Sequence, residues 1–241
     1  VHLSPTFRTL WTLVADGKIG HVHSARGLYG NAGVDWAAWY HTSGSGPLPE
    51  LGIYNLKSLT ALLGPVVEVM AAEARAVSQR EIGGVAVENP DSDIVQVILR
   101  HRGGALSVVT ASQAVQSYRR TALELYGTDG TANLLGDDWD PRGLDVWRNE
   151  TGCWQGYDAV EPTWSWADGL RELVLALREG RPPLADLDHD LHLLDLLAAA
   201  RRSAAERVVV EVDSTFELDL RFEAPAGAHK LHDHTRSSDE Q

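Results

Sequence analysis

The sequence predicts an α+β protein with a large, mainly antiparallel sheet and helices packed on one face. Three observations carry that expectation. Short apolar runs follow one another through the middle of the chain, joined by turns such as Arg102-Gly-Gly104 and Gly127-Thr-Asp-Gly130. The long helical periodicities do not alternate with those runs, which argues against a doubly wound parallel sheet. In the run Asp93–His101, both Ile94/Gln96/Ile98 and Val95/Val97/Leu99 are largely apolar. A sheet covered by helices on one side and by a partner on the other would have that pattern.

In chain order, Ser4-Pro5 is a helix start, a capping hydroxyl followed by proline at the first helical position. The helix is expected to reach Ala15 with Leu10, Leu13 and Val14 inward, and Asp16-Gly17 ends it. A strand follows to Gly30, with Val22 and Ser24 on one face and His21 and His23 on the other. Residues 31–46 combine glycine with Trp36, Trp39, Tyr40 and His41, the composition of a binding loop. A helix then begins near Pro49 and stops at Gly64-Pro65. Val66–Val77 is expected as a strand and Ser78–Pro90 as a connection holding at most a short one. Strands at Asp93–His101, Ala105–Val115 and Ala122–Tyr126 come next. Leu134–Val160 is expected to be irregular, with one short strand near Leu144–Arg148.

Glu161-Pro162 is expected to open a long helix ending at Glu179-Gly180, with Trp166, Leu170, Leu173, Val174 and Leu177 on its inner stripe. A second helix, capped by Asp186 or Asp188, runs to about Ala205 over Leu191, Leu194, Leu197 and Ala198. Strands at Arg207–Val212 and Phe216–Phe222 close one domain spanning 1–223, and 224–241 reads as a disordered tail.

Composition narrows the function. Thirty-four acidic residues against 21 basic ones give a net charge of −13, which disfavours nucleic acid and anionic membrane as partners. No apolar run is long enough to span a bilayer. The single cysteine, Cys153, suits a reducing compartment, and cytoplasmic localisation is expected. Nucleotide signatures are missing: Gly27, Gly30 and Gly33 are spaced GxxGxxG, and Gly44-Ser-Gly46 runs into Pro-Leu-Pro, whose prolines withhold N–H groups from a phosphate.

Two constellations hold chemistry. Glu50, Tyr54 and Lys57 sit four and three residues apart, which places a carboxylate, a phenol and an amine along one helix flank. The same pattern is also that of ordinary surface residues. His189 and His192, with Asp186 and Asp188 upstream, have metal-ligand spacing. The stronger reading of that group is an acidic helix start with exposed histidines. His229, His232, Asp233 and His234 crowd the tail without a fold around them.

The segment Arg8 to Val22, the unit Gly46-Pro-Leu-Pro-Glu-Leu-Gly-Ile-Tyr54, the Gly127–Thr131 turn, and Gly180-Arg-Pro-Pro183 followed by Ala199–Ala204 together resemble the C-terminal domain of the Gfo/Idh/MocA oxidoreductases. Their order and spacing extend the resemblance over roughly residues 2–212. It implies a large mixed, mainly antiparallel sheet that roofs a substrate site and forms a homo-oligomer, dimer or tetramer, through its face. It implies a Rossmann domain, in the same or another chain, that brings NAD or NADP and a catalytic lysine. No cofactor or metal is expected on these residues alone.

The family's Asp falls on Glu50, one methylene longer, and its His or Tyr on Tyr54, so these two are the expected catalytic residues. Trp36, Trp39, Tyr40, His41, Lys57 and, more weakly, Arg26 are the expected substrate-binding residues for a sugar, polyol or related hydroxy or keto compound. Two other functions fit the sequence: a non-catalytic binding or scaffold protein, and a cofactor-free lyase or isomerase built on Tyr54 and Glu50.

Overall fold

Ser4 Oγ accepts the Phe7 N–H at 3.2 Å and Pro5 follows, so helix α1 (Pro5–Ala15) begins where cap and proline require. It ends at Asp16, with Gly17 at φ +66°. Phe7 and Leu10 are fully buried, while Leu13 and Val14 pack at the core's edge. The structure, a computed structural model, describes residues 1–41, 46–119, 121–137, 139–158 and 164–217. The expected helix opening at Glu161-Pro162, much of the strand at Phe216–Phe222, the 224–241 tail and its histidines lie outside these residues.

Strand β1 (Val22–Gly30) is followed by a short 3-10 turn (Ala38–His41), a π-helical turn (Leu48–Gly52) and helix α2 (Ile53–Leu63). The remaining strands are β2 (Val66–Ala74), β3 (Gln79–Ile82), β4 (Val85–Glu88), β5 (Ile94–His101), β6 (Leu106–Ser112), β7 (Thr121–Gly127), β8 (Gly130–Asp137), β9 (Asp140–Arg148), β10 (Cys153–Asp158) and β11 (Val210–Glu211). Helices α3 (Asp168–Glu179) and α4 (Leu187–Glu206) precede β11.

Nine strands form one sheet in the order β10-β9-β8-β7-β1-β6-β5-β2-β11. Only β1 and β6 run parallel and every other neighbouring pair is antiparallel, so the sheet is mixed and mainly antiparallel, as expected. Helices α1, α2 and α4 cover one face. Between them and the sheet lie Leu56 and Leu59 of α2, Leu196 of α4 and Leu99, Leu123, Leu134 and Leu144 of the strands. The other face leaves Met70, Ile98 and Val108 exposed in one cross-strand row, with Leu106 nearby.

Several expectations need correction. A bulge between Val22 and Ser24 shifts the alternation of β1, so Ala25 and Gly27, not Ser24, follow Val22 inward. Ser78–Pro90 holds a complete hairpin, β3–β4, forming a separate two-stranded sheet. The stretch 134–160, expected to be irregular apart from a strand near Leu144–Arg148, holds that strand lengthened as β9, together with the end of β8 and all of β10. Their outward positions, including Asn133, Asp145, Trp147 and Trp154, mix polar and aromatic residues and hide the period of two.

α3 leaves Leu170, Val174 and Leu177 exposed, as is Trp166 just before it, and among its described residues only Ala176 is buried. In α4 the stripe is rotated. Leu191, Leu194 and Ala198 face outward, while His189, His192, Leu193, Leu196, Ala199 and Ala200 face the sheet.

Candidate active site

α2 is held unusually close to the sheet, and that closeness places the site. A Cβ on Gly27 of β1 would lie 2.8 Å from Asn55 Cβ, and one on Gly52 would lie 3.0 Å from Ala111 Cβ. Both positions therefore need glycine for packing. Asn55 Nδ2 donates to the Ala122 carbonyl at 3.3 Å and anchors the helix over β7. Pro47 and Pro49 fall where a helix's first N–H groups have no partner within the helix, so their missing donors cost nothing there, and the chain enters α2 through the wider π-helical turn that carries Glu50. Turns of this kind recur at functional sites.

Tyr54, on the first turn of α2, is 39 % exposed, and its ring meets Tyr29 of β1 edge-on at 6.0 Å. Tyr40 is 8 % exposed, beside the Gln113 side chain. Burial pushes the Tyr40 phenol up, and the facing Glu50 carboxylate pushes it further. Tyr29 is pushed up to about 12, first by burial and then by the Asp137 carboxylate. Both phenols therefore stay protonated at neutral pH as hydrogen-bond donors.

The remaining expected residues divide. Trp36 and Trp39 are 70 % and 57 % exposed and join Tyr40 through a chain of edge-on contacts. His41 is buried and donates from Nε2 to the Val34 carbonyl at 2.9 Å, so it braces the loop from inside. Lys57 lines the same cleft as Tyr54 and pairs with Asp190 of α4. Arg26 is set apart: it pairs with Glu124 on the open face of the sheet, behind the site.

The aromatic loop is fixed by Arg80 of β3. Its guanidinium donates to the Ala32 carbonyl at 2.9 Å, the Gln113 carbonyl at 2.7 Å and Asp93 Oδ2 at 3.1 Å. Sequence reasoning missed Arg80, Tyr29, Asp137 and Trp139. Asp137 ends β8 and Trp139 lies in the β8–β9 connection, and strand pairing brings the first to Tyr29 and the second to the cleft at Tyr54.

The histidines of α4 are neither exposed nor metal ligands. His192 Nε2 accepts the Val66 N–H at 3.0 Å while Nδ1 donates to Ser214 Oγ at 2.8 Å. His189 Nε2 donates to Thr60 Oγ1 at 2.7 Å, and its ring lies between His2 and Phe216. Among the described residues no group of three His, Cys, Asp or Glu side chains is arranged to hold a metal, and no helix is long and apolar enough to cross a membrane.

Residues 7–133, more than half of the chain, match the GFO/IDH/MocA C-terminal domain family. The chain belongs to this family. A curated relative, the myo-inositol 2-dehydrogenase of Thermotoga maritima, is 24 % identical over 224 residues. That match covers 86 % of this chain but 61 % of the relative, so the chain spans about three fifths of that enzyme's length.

Among solved structures, an NAD-binding oxidoreductase from Klebsiella pneumoniae superposes with a TM-score of 0.75 at 22 % identity, covering 88 % of this chain and 64 % of that one. The aldose-aldose oxidoreductase of Caulobacter crescentus, complexed with glycerol, gives 0.74 at 22 % identity, with coverages of 88 % and 62 %. These likenesses show the GFO/IDH/MocA C-terminal fold. The match also places Glu50 and Tyr54 inside the matched segment.

The helix N-termini of the described residues do not fit a dinucleotide's pyrophosphate. α1 is capped by Ser4 and followed by proline, α2 is entered through a proline-bearing turn, and α3 and α4 carry Asp168, Asp188 and Asp190 in their first turns.

Proposed function

We propose that these residues are the substrate-binding half of an NAD(P)-dependent oxidoreductase acting on a sugar, a polyol or a related hydroxy or keto compound in the cytoplasm. The observation that carries this reading is Tyr54. Its half-exposed phenol stands at a cleft mouth, on the helix turn after Glu50, at the position where the family has a His or Tyr. A nicotinamide brought by a Rossmann domain would supply the hydride acceptor. Tyr54 hydrogen-bonds the reacting oxygen and orients its proton, Glu50 tunes the phenol network through Tyr40, and Trp36 and Trp39 offer a ring apolar surface. The low-lying polar edge of the site, Tyr29 and Tyr40, stays protonated and donates.

The homo-oligomer is part of the same proposal, a dimer or tetramer through the open sheet face. The exposed row Met70, Ile98 and Val108 supports it, since contiguous apolar surface of this kind marks interaction sites. A monomer in analytical ultracentrifugation at micromolar concentration would remove that part.

Calorimetry of the 241-residue chain with NAD is the direct test of the division of labour. No binding is expected, and a clear micromolar affinity would overturn the assignment. With a Rossmann domain supplied in the same or another chain, substrate-dependent NAD(P)H formation is expected to fall about 100-fold in Tyr54→Phe, the scale of one lost general acid-base group.

A further inference from the structure

The hairpin β3–β4 stands outside the main sheet, yet it holds the loop that carries Trp36, Trp39 and Tyr40. The carbonyls of Ala32, Val34 and Asp35, just ahead of Trp36, are each taken. Arg80 Nη1 donates to Ala32 at 2.9 Å, His41 Nε2 to Val34 at 2.9 Å, and the Gly83 N–H at the hairpin tip to Asp35 at 3.2 Å. Arg80 and Gly83 both belong to the hairpin. The stem of the loop is tied separately. There the Asn31 N–H donates to the Ser112 carbonyl at 2.9 Å, and the Val115 N–H to the Asn31 carbonyl at 3.0 Å.

Arg80 is the joint between hairpin, loop and sheet. Its side chain is 8 % exposed and that of Asp93 is 1 % exposed. Nη2 spans Asp93 Oδ2, just before β5, and the Gln113 carbonyl, just after β6, while Nη1 reaches across to the loop. Asp93 also accepts the Ala76 N–H at 2.7 Å and the Val77 N–H at 2.9 Å, beyond the end of β2. The loop lies so close that a Cβ on Gly33 would run into the Arg80 guanidinium. A planar fork with two separate nitrogens can serve sheet and loop together, whereas an ammonium is one compact point.

We infer that the β3–β4 hairpin is part of the substrate site, with Arg80 as a positioning residue whose forked shape, rather than its charge, sets how tightly the aromatic loop holds substrate. Arg80 touches no reacting atom. It acts through the Ala32 carbonyl, which fixes the approach to Trp36. A loop that must be ordered during binding loses affinity to that ordering, and one already braced does not. The charge of Arg80 serves Asp93 at the base of the hairpin. Lysine keeps that charge and loses the reach to Ala32, so the two roles are separable. The role given to Arg80 rests on the reading of Trp36, Trp39 and Tyr40 as substrate surface and asks nothing of Tyr54.

The test compares the 241-residue chain with Arg80→Lys and with Gly33→Ala, which pushes the guanidinium off the loop without touching Asp93. Backbone amides of residues 31–41, read by hydrogen-exchange mass spectrometry, are expected to exchange about tenfold faster in both variants, with β5 and β6 within about twofold of the parent. The dissociation constant of the probe myo-inositol, read by saturation-transfer NMR, is expected to rise about fivefold or more in both. Arg100→Lys, whose pair with Glu68 is exposed on the sheet, should leave both readouts unchanged. With a Rossmann domain supplied, the loss is expected in KM, about fivefold, with kcat within about twofold. Unchanged exchange in 31–41, faster exchange throughout the sheet, an unchanged dissociation constant, a parent chain that does not bind the probe, or a loss confined to kcat would each overturn the inference. Tyr54→Phe keeps the two proposals apart. Undiminished turnover there ends the catalytic reading and leaves the role of Arg80 standing, whereas indifference of binding to Arg80→Lys ends that role and leaves Tyr54 standing.

Discussion

Two polar groups lie on the helix-covered side of the sheet, and they are resolved in opposite ways. Under α4, His101, His189 and His192 are enclosed and hydrogen-bonded to fixed partners. His101 donates from Nδ1 to the Gly64 carbonyl and meets Ser107 Oγ at Nε2, both at 2.8 Å. Around α2, Tyr54, Trp139 and Trp166 keep part of their surface on a cleft. In the sequence both the His189/His192 pair and the Glu50/Tyr54 pair offered chemistry, the histidines reading more strongly as an exposed helix start. The difference teaches that residue type nominates a site, but the surface left open on a cleft decides it.

Acid provides the largest test of this contrast. Burial is the main cause that lowers four of the buried imidazoles: His101 to about 4, His189 to about 3, His2 well below the usual value, and His192 downward. The unfolded chain takes up these protons near 6.5 and the folded chain does not. Stability is therefore full above pH 6.5 and falls as the pH drops toward 4. His101 alone costs roughly 3 kcal/mol by pH 4 relative to pH 7. Urea unfolding at stepped pH should show the loss, and a flat profile from 7 to 4 would break the account.

Tyr54→Phe comes next. It should cost about 2.7 kcal/mol of transition-state stabilisation, the equivalent of 100-fold in rate, while leaving the thermal midpoint within a degree or two. His192→Phe should do the reverse. With the Val66 N–H left unpartnered, it should lose about 1–3 kcal/mol of stability in denaturant titration, with the substrate-dependent rate unchanged.

Gly27→Ala connects the two regions, since a methyl group there meets Asn55 and lifts α2. About 1–3 kcal/mol of destabilisation is expected, with a lower substrate-dependent rate because Tyr54 moves with the helix. Lys57→Met should have the smallest effect, under about 1 kcal/mol, because its partner Asp190 is half exposed. A larger loss would show that the pair has a role beyond the surface.

Much of the scaffold was legible in the chain. Ser4-Pro5, Gly64-Pro65, Arg102-Gly-Gly104 and Gly127–Gly130 punctuate it through rules that act over a few residues, and the elements they bound are where expected. Glu50 and Tyr54 were legible for the same reason, being a local motif. Less legible was phase. α4 carries leucines on both sides, so its periodicity did not say which side meets the sheet, and two histidines turned inward where Leu191 and Leu194 were expected. α3 was misread similarly, since an apolar stripe records what a helix can bury and not what stands opposite it.

What the sequence by itself determined is the order of most elements and the mainly antiparallel sheet, because capping, turn chemistry and alternation are encoded within short windows, as is the spacing that nominates Glu50 and Tyr54. What only the tertiary structure decided is the company Tyr54 keeps. Tyr29, Trp139, Trp164 and Trp166 reach it from parts of the chain up to 112 positions away, through strand pairing and through the Gly27–Asn55 contact that seats α2 on the sheet. Contacts of that range depend on how faces pack, and no short window of residues encodes a face's partner.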